Sequence, residues 1–132
     1  MCSESLASIL IVDDQKNWRK VLSLLLKNDP YKVIDADSFE NAKNKLDSRY
    51  FDLVVLDVRM VDNDTFNVDG LALLNYIRDN HPTTKTIILT GYPDSVKDRS
   101  QVDAFILKVP PGSTFDEQGF RNLVHRILNK EK

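Results

Sequence analysis

The stretch "LVVLDVRMVDND", residues 53–64, decides which fold this chain can adopt. Its four aliphatic residues, Leu53 to Leu56, form an apolar run that is typical of a parallel strand buried on both faces. The run ends directly in Asp57 and a polar loop. An aspartate at a strand end is often only a turn residue, so its meaning depends on which other side chains reach the same place.

Four further strands are predicted around this run, at residues 8–13, 31–36, 86–90 and 104–108. The second alternates apolar and polar residues, as an edge strand does. Helical periodicity predicts a helix over 14–28 with Trp18, Val21, Leu22 and Leu25 on its apolar stripe, and a second helix capped by Ser38. It also predicts a helix over 70–80 and a last helix whose stripe includes Phe120, Val124 and Ile127. A short, weakly periodic segment separates strands four and five. This alternation predicts an α/β doubly wound fold with right-handed crossovers.

Length and composition predict one domain over residues 1–132, with a structured core from about 8 to 130. Of the 132 residues, 42% are hydrophobic and 29% charged, which is ordinary for a soluble globular protein. No apolar run approaches the roughly 20 residues of a membrane span, so membrane insertion is not expected. The net charge of −2 is not the excess of positive charge that indicates direct nucleic-acid binding. A single cysteine, Cys2, indicates a reducing compartment and hence a cytoplasmic location.

Polar side chains stand at the carboxyl ends of four predicted strands: Asp13 and Asp14, Asp57, Thr90, and Lys108. In doubly wound sheets, ligands bind beyond these ends. Crowded carboxylates repel one another unless a divalent cation joins them, and such oxygen ligands suit Mg²⁺ or Mn²⁺. Each residue alone is more often a turn, a cap or a surface cation. Together they predict a phosphoryl-transfer site in which Asp57 is the nucleophile and forms an acyl phosphate.

On the motifs "ILIVDD", "DLVVLDVRM", "IILTGY" and "FILK", the chain resembles the receiver domain of two-component response regulators, the CheY-like family, over nearly its whole length. The resemblance implies a flavodoxin-like (βα)5 sandwich with sheet order 2-1-3-4-5, here with a shortened fourth helix. It implies a signalling phosphoacceptor rather than a free-standing turnover enzyme. The partners would be a histidine kinase or histidine phosphotransfer protein and an unknown downstream protein. The chain would be a monomer or a phosphorylation-dependent dimer.

The resemblance also implies roles for individual residues. Asp13, Asp14 and Asp57 would bind Mg²⁺ together with the backbone carbonyl of Arg59. Lys108 would be the family's invariant lysine, which pairs with the carboxylate and the phosphoryl group.

The resemblance also implies a pair of residues that change conformation on phosphorylation. Two further positions would set how long the phosphoryl group persists on Asp57. Thr90 and Phe105 would be the switch pair that alters a protein-interaction face, although Phe105 fits a plain core aromatic equally well. Arg59 and Tyr92 would overhang the site and obstruct an attacking water, which predicts slow self-dephosphorylation.

The chain departs from the family pattern in two loops. An insertion at 61–69 carries Asp62, Asp64 and Asp69, and is either a partner-recognition loop or a tolerated solvated insertion. The proline that usually follows the lysine is displaced, so the cis peptide either moves to Val109-Pro110 or is absent.

Two other functions fit parts of the sequence. A receiver-like scaffold would bind a partner without phosphorylation, but the intact set of polar residues at the strand ends argues against it. A hydrolase of the haloacid dehalogenase type needs a second aspartate two residues after the nucleophile, where this chain has Arg59. His81 and His125 lie away from the strand ends and are expected to be solvated.

Overall fold

The computed structural model describes residues 7–26, 31–57, 69–90, 102–107 and 115–129. Five parallel strands form one sheet in the order β2-β1-β3-β4-β5, which confirms the predicted α/β topology. The strands are β1 Ala7–Val12, β2 Tyr31–Ala36, β3 Leu53–Leu56, β4 Lys85–Thr90 and β5 Ala104–Leu107.

Four helices lie in the described part of the chain: α1 Lys16–Leu26, α2 Phe39–Ser48, α3 Asp69–Asn80 and α4 Glu117–Asn129. Ser38 caps α2 as predicted, because its hydroxyl accepts the backbone N–H of Asn41 at 3.1 Å. The shortened helix predicted between β4 and β5 falls in residues 91–101, outside the described residues. None of the helices described is both long and apolar enough to cross a bilayer.

Two hydrophobic layers cover the sheet, and this explains why the central strands are apolar without alternation. Ile9 and Ile11 of β1 pack with α1 and α4, whereas Leu10 and Val12 pack with α2 and α3. β3 divides its four buried residues in the same way. The sheet therefore has no solvent-facing side at its centre, and polar groups there can gather only at the strand ends.

The predicted apolar stripe of α1 is partly wrong. Leu22 and the unpredicted Leu26 are buried, and Trp18 and Leu25 are half-buried against the same layer. Val21 is 39% exposed, because the buried stripe follows a spacing of four residues and Val21 lies one residue, or about 100°, off it.

A polar cluster joins α2 to α3. The hydroxyl of Tyr76 donates to Oδ1 of Asp47 at 2.5 Å, and Nε2 of His81 lies 3.3 Å from the same oxygen. The expectation that His81 is simply solvated was therefore wrong. The hydrogen bond from Tyr76 is the main cause that lowers the pKa of Asp47 below its ordinary value of 3.8, and the contact with His81 acts in the same direction.

We expect the stabilising effect of Tyr76 to depend on pH. A carboxyl group with a lowered pKa in the folded state contributes stability above its unfolded pKa and loses it as the pH falls through the folded pKa. Tyr76→Phe should therefore lower the melting temperature at about pH 7, and the difference from the wild type should narrow by about pH 3.

Tyr50→Phe is the matched control for this measurement, because the Tyr50 hydroxyl lies 3.3 Å from the neutral hydroxyl of Thr83. Its effect on the melting temperature should not change between the two pH values. A Tyr76→Phe difference that stays constant with pH would contradict the assignment.

Candidate functional site

Asp13 and Asp57 follow two neighbouring strands at the same edge of the sheet. Val12 and Leu56 are paired in the β1–β3 register, and the N–H of Asp57 donates to the carbonyl of Val12 at 3.0 Å. On the other side, the N–H of Asp13 donates to the carbonyl of Ala36 at 3.1 Å. Strand pairing therefore continues one residue past β1 and fixes both backbones where the carboxylates begin.

The carboxylates of Asp13, Asp14 and Asp57 meet at this edge. Each offers an oxygen, and these oxygens all lie within 4.8 Å of one another. Asp13 and Asp57 are each only 2% exposed, and Asp14 is half-buried. It is the one group of at least three potential metal-ligating side chains found among the described residues.

The chemistry of this donor set fits a hard divalent cation. Three carboxylates this close repel one another, and their burial removes the water that would screen the repulsion. Mg²⁺ and Mn²⁺ prefer oxygen ligands and accept one or two carboxylates with waters and phosphate oxygens in the remaining positions. The position between the three side chains can therefore hold such an ion.

Arg19 holds the backbone at this site, and sequence reasoning missed it. Its Nη1 donates to the carbonyl of Asp13 at 2.6 Å, and its Nε donates to Oδ2 of Asp35 at 3.2 Å. The side chain is only 15% exposed. The signal in the sequence was a cation one turn into the helix that follows two carboxylates. Arg19 thus links the end of β1 to the end of β2, and the N–H of Gln15 adds a 2.9 Å hydrogen bond to Oδ1 of Asp13.

The structure describes only part of the other predicted site residues. Thr90 ends β4 in register with Leu107, the last residue of β5, but its side chain is not described. Three more predicted residues lie outside the described residues: Arg59, Tyr92 and Lys108. The departures from the family pattern, in the insertion before Asp69 and at Val109-Pro110, lie outside them as well.

Phe105 is half-buried on β5 and packs against the core layer that α2 and α3 cover. This position agrees with both a switch aromatic and a plain core aromatic. Its role stays a prediction.

Aromatic contacts join elements on the α1 and α4 side of the sheet. Trp18 meets Phe115 edge to face, with 5.2 Å between ring centroids. The hydroxyl of Tyr31 lies 2.7 Å from Nδ1 of His125, so the expectation of a solvated His125 was wrong. His125 faces the edge strand across the layer, a relation that helical periodicity alone does not reveal.

Comparisons with known proteins point to one family. The family model of the response regulator receiver domain matches residues 9–107. The transcriptional regulatory protein ZraR of Escherichia coli O157:H7 is 37% identical over 84 residues, which are 64% of this chain and 18% of ZraR. The chain therefore spans less than a fifth of the length of that relative.

Solved structures agree with the fold. The signal receiver domain of an HD domain-containing protein from Pseudomonas fluorescens Pf-5 has a TM-score of 0.80 and 25% identity, over 96% of this chain and 98% of that one. Response regulator protein TrrA from Thermotoga maritima, solved in complex with Mg²⁺ and BeF, has a TM-score of 0.76 and 27% identity, over 92% and 99% of the two chains.

We expect Asp13→Asn to stabilise the metal-free protein, because it removes one of three repelling charges and keeps the acceptor for the N–H of Gln15. In EDTA the melting temperature should rise by roughly 2–8 °C, the range that corresponds to about 1 kcal/mol in a domain of this size. Added Mg²⁺ should raise the melting temperature of the variant less than that of the wild type.

Asp79→Asn, at the exposed end of α3, is the charge-matched control and should change neither response. A metal-free Asp13→Asn protein that melts below the wild type would show that the carboxylates do not repel one another.

We expect Arg19→Ala to lower the free energy of unfolding by about 1–3 kcal/mol, because it removes a charged donor from a backbone carbonyl and from Asp35. Urea denaturation measures this change. Lys20→Ala, the exposed neighbour on α1, is the control and should have little effect. Equal stability of the two variants would show that Arg19 does not hold the ends of the strands.

Proposed function

Because the chain belongs to the response regulator receiver domain family, we propose that it is the phosphoacceptor of a two-component phosphorelay. In this function, Mg²⁺-dependent transfer moves a phosphoryl group from the phosphohistidine of a kinase or phosphotransfer protein to Asp57. The observation that carries the proposal is the meeting of three carboxylate oxygens within 4.8 Å at the carboxyl ends of β1 and β3.

Asp13, Asp14 and Asp57 hold the Mg²⁺ or Mn²⁺ ion in this proposal, with the backbone carbonyl of Arg59 as a further ligand. When bound, the ion neutralises the crowded carboxylates and part of the negative charge on the phosphoryl oxygens. The complex of TrrA with Mg²⁺ and BeF supports this assignment, because that protein shares the fold at 27% identity.

Asp57 acts as the nucleophile. One of its oxygens attacks the phosphorus, an O–P bond forms, and the P–N bond to the donor histidine breaks, so that the imidazole nitrogen leaves with the electron pair and takes a proton. The carboxylate is positioned for this step because its backbone N–H is bonded to Val12 and its side chain is almost fully buried. The ammonium of Lys108 and the hydroxyl of Thr90 donate hydrogen bonds to the phosphoryl oxygens.

Phosphorylation brings roughly two negative charges to the strand ends, and this drives the switch. The hydroxyl of Thr90 moves toward a phosphoryl oxygen and the ring of Phe105 turns inward, so that a downstream protein finds an altered surface. Arg59 and Tyr92 slow the hydrolysis of the acyl phosphate by obstructing water. The chain assists its own phosphorylation and dephosphorylation but is not a free-standing turnover enzyme.

The wider setting follows from the same proposal. Residues 1–132 form a single receiver domain that works in the cytoplasm, binds no nucleic acid directly and does not insert into the membrane. It is a monomer, or a dimer that forms on phosphorylation.

Intact mass after incubation with acetyl phosphate and Mg²⁺ tests the proposal. The wild type should gain one phosphoryl group, and Asp57→Ala and the wild type in EDTA should gain none. The fluorescence of Trp18 should change together with the mass, because α1 begins directly after the carboxylate cluster.

Asp79→Asn is the control that should be phosphorylated like the wild type. A folded wild-type protein that gains no phosphoryl group from any of several small phosphodonors would contradict the proposal, and would favour the scaffold that acts without phosphorylation.

A further inference from the structure

A groove of about 540 Å³ runs between α1 and the edge strand β2, beside the carboxylate cluster rather than in it. Its volume lies in the range of about 300–1,000 Å³ that ligand pockets occupy. The lining includes Lys16, Lys20 and Leu24 from α1, and Tyr31 and Val33 from β2. None of these side chains has a part in phosphoryl transfer as proposed above.

The backbone of β2 has an outward-facing edge at this groove. In the described part of the chain, β1 is the strand that pairs with β2. The carbonyl of Ala36 accepts the N–H of Asp13, so the backbone groups of Ala36 face β1. Along a parallel strand, the backbone groups of successive residues point alternately to one side of the strand and to the other. The N–H and C=O groups of Val33 and Asp35 therefore face away from β1. The ammonium of Lys45 donates to the carbonyl of Asp35, which confirms that this carbonyl points outward.

The groove carries an excess of positive charge. Lys16 and Lys20 are exposed and lie one helical turn apart on α1. The third cation in the lining, Arg19, pairs with Asp35, the carboxylate of the lining. The charge of the two lysines is therefore not offset within the groove, although the whole chain has a net charge of −2.

Apolar surface lies between these charges. Leu24 is 55% exposed, and Val33 is half-buried on the strand below it. Tyr31 is held in place by its hydrogen bond with His125. A segment that fits this surface needs acidic side chains for the two lysines and an apolar side chain for Leu24 and Val33.

We propose that this groove binds an extended acidic segment of a partner protein, which pairs with the outer edge of β2 as an added strand. Main-chain hydrogen bonds to Val33 supply part of the affinity, and the lysines select acidic sequences. Lysines beside an edge strand also oppose indiscriminate pairing between strands, so the same side chains exclude segments without negative charge. The proposal does not depend on phosphorylation of Asp57.

The test uses a fluorescently labelled short peptide in which glutamate and valine occupy every second position in turn, with serine between them, so that both side chains face α1 from one added strand. A second peptide has lysine in place of glutamate. Fluorescence anisotropy with the wild-type chain should show binding of the acidic peptide at low salt and none of the basic one. Amide chemical shifts should change along β2 and the first half of α1. Binding of both peptides alike, no binding of the acidic peptide, or shifts confined to other surfaces would each overturn the proposal.

Four variants separate the contributions of charge, backbone and apolar surface. Lys20→Glu should weaken binding of the acidic peptide by about tenfold or more, whereas Arg126→Glu on α4, with the same change in charge, should leave it unchanged.

Val33→Pro removes an outward N–H without breaking the pairing with β1, so it should weaken binding while the melting temperature stays close to that of the wild type. If Val33→Pro does not fold, Leu24→Asp tests the groove instead, because Leu24 is exposed and should be replaceable without loss of stability. Unchanged binding in Lys20→Glu would overturn the proposal.

Discussion

The pairing of β1 with β3 is the constraint on which the site depends. The hydrogen bond from Asp57 to the carbonyl of Val12 brings two chain segments that are far apart in sequence to the same level of the sheet. Because both strands are buried on both faces, their ends are the nearest positions at which charged side chains can stand. The repulsion between the carboxylates is thus imposed by the pairing of the strands, and a bound divalent cation would relieve it.

Much of this arrangement could be predicted from the sequence, because continuous apolar runs and turn signals are local properties. β2 was predicted at its observed bounds, and the other strands differ by about one residue at an end. The carboxylates were predicted to meet because the ends of parallel strands share an edge. Because β1 and β3 are adjacent in the predicted sheet order, the sequence alone predicts that Asp13 and Asp57 lie close together.

The contacts that could not be predicted join a helix to another element, and packing sets how the helix is rotated about its axis. Arg19 bonds to Asp13 and Asp35 because the first turn of α1 lies near the ends of β1 and β2, and helical periodicity does not give the rotation of α1 relative to these strands. The same limit explains the error at Val21 and the two histidines, which were expected in solvent and instead face Asp47 and Tyr31. Charged and aromatic side chains at the edge of a helical stripe have several possible neighbours, and the sequence alone does not choose among them.

The hydrogen bond between Tyr31 and His125 joins residues 94 positions apart in the chain. During synthesis on the ribosome, β2 leaves the exit tunnel well before α4 does. Until α4 docks, the side chain of Tyr31 at the start of the edge strand lacks this hydrogen bond, and the surface around it is incomplete. Nascent chains should therefore acquire this part of their recognition surface late, after the central strands have already paired.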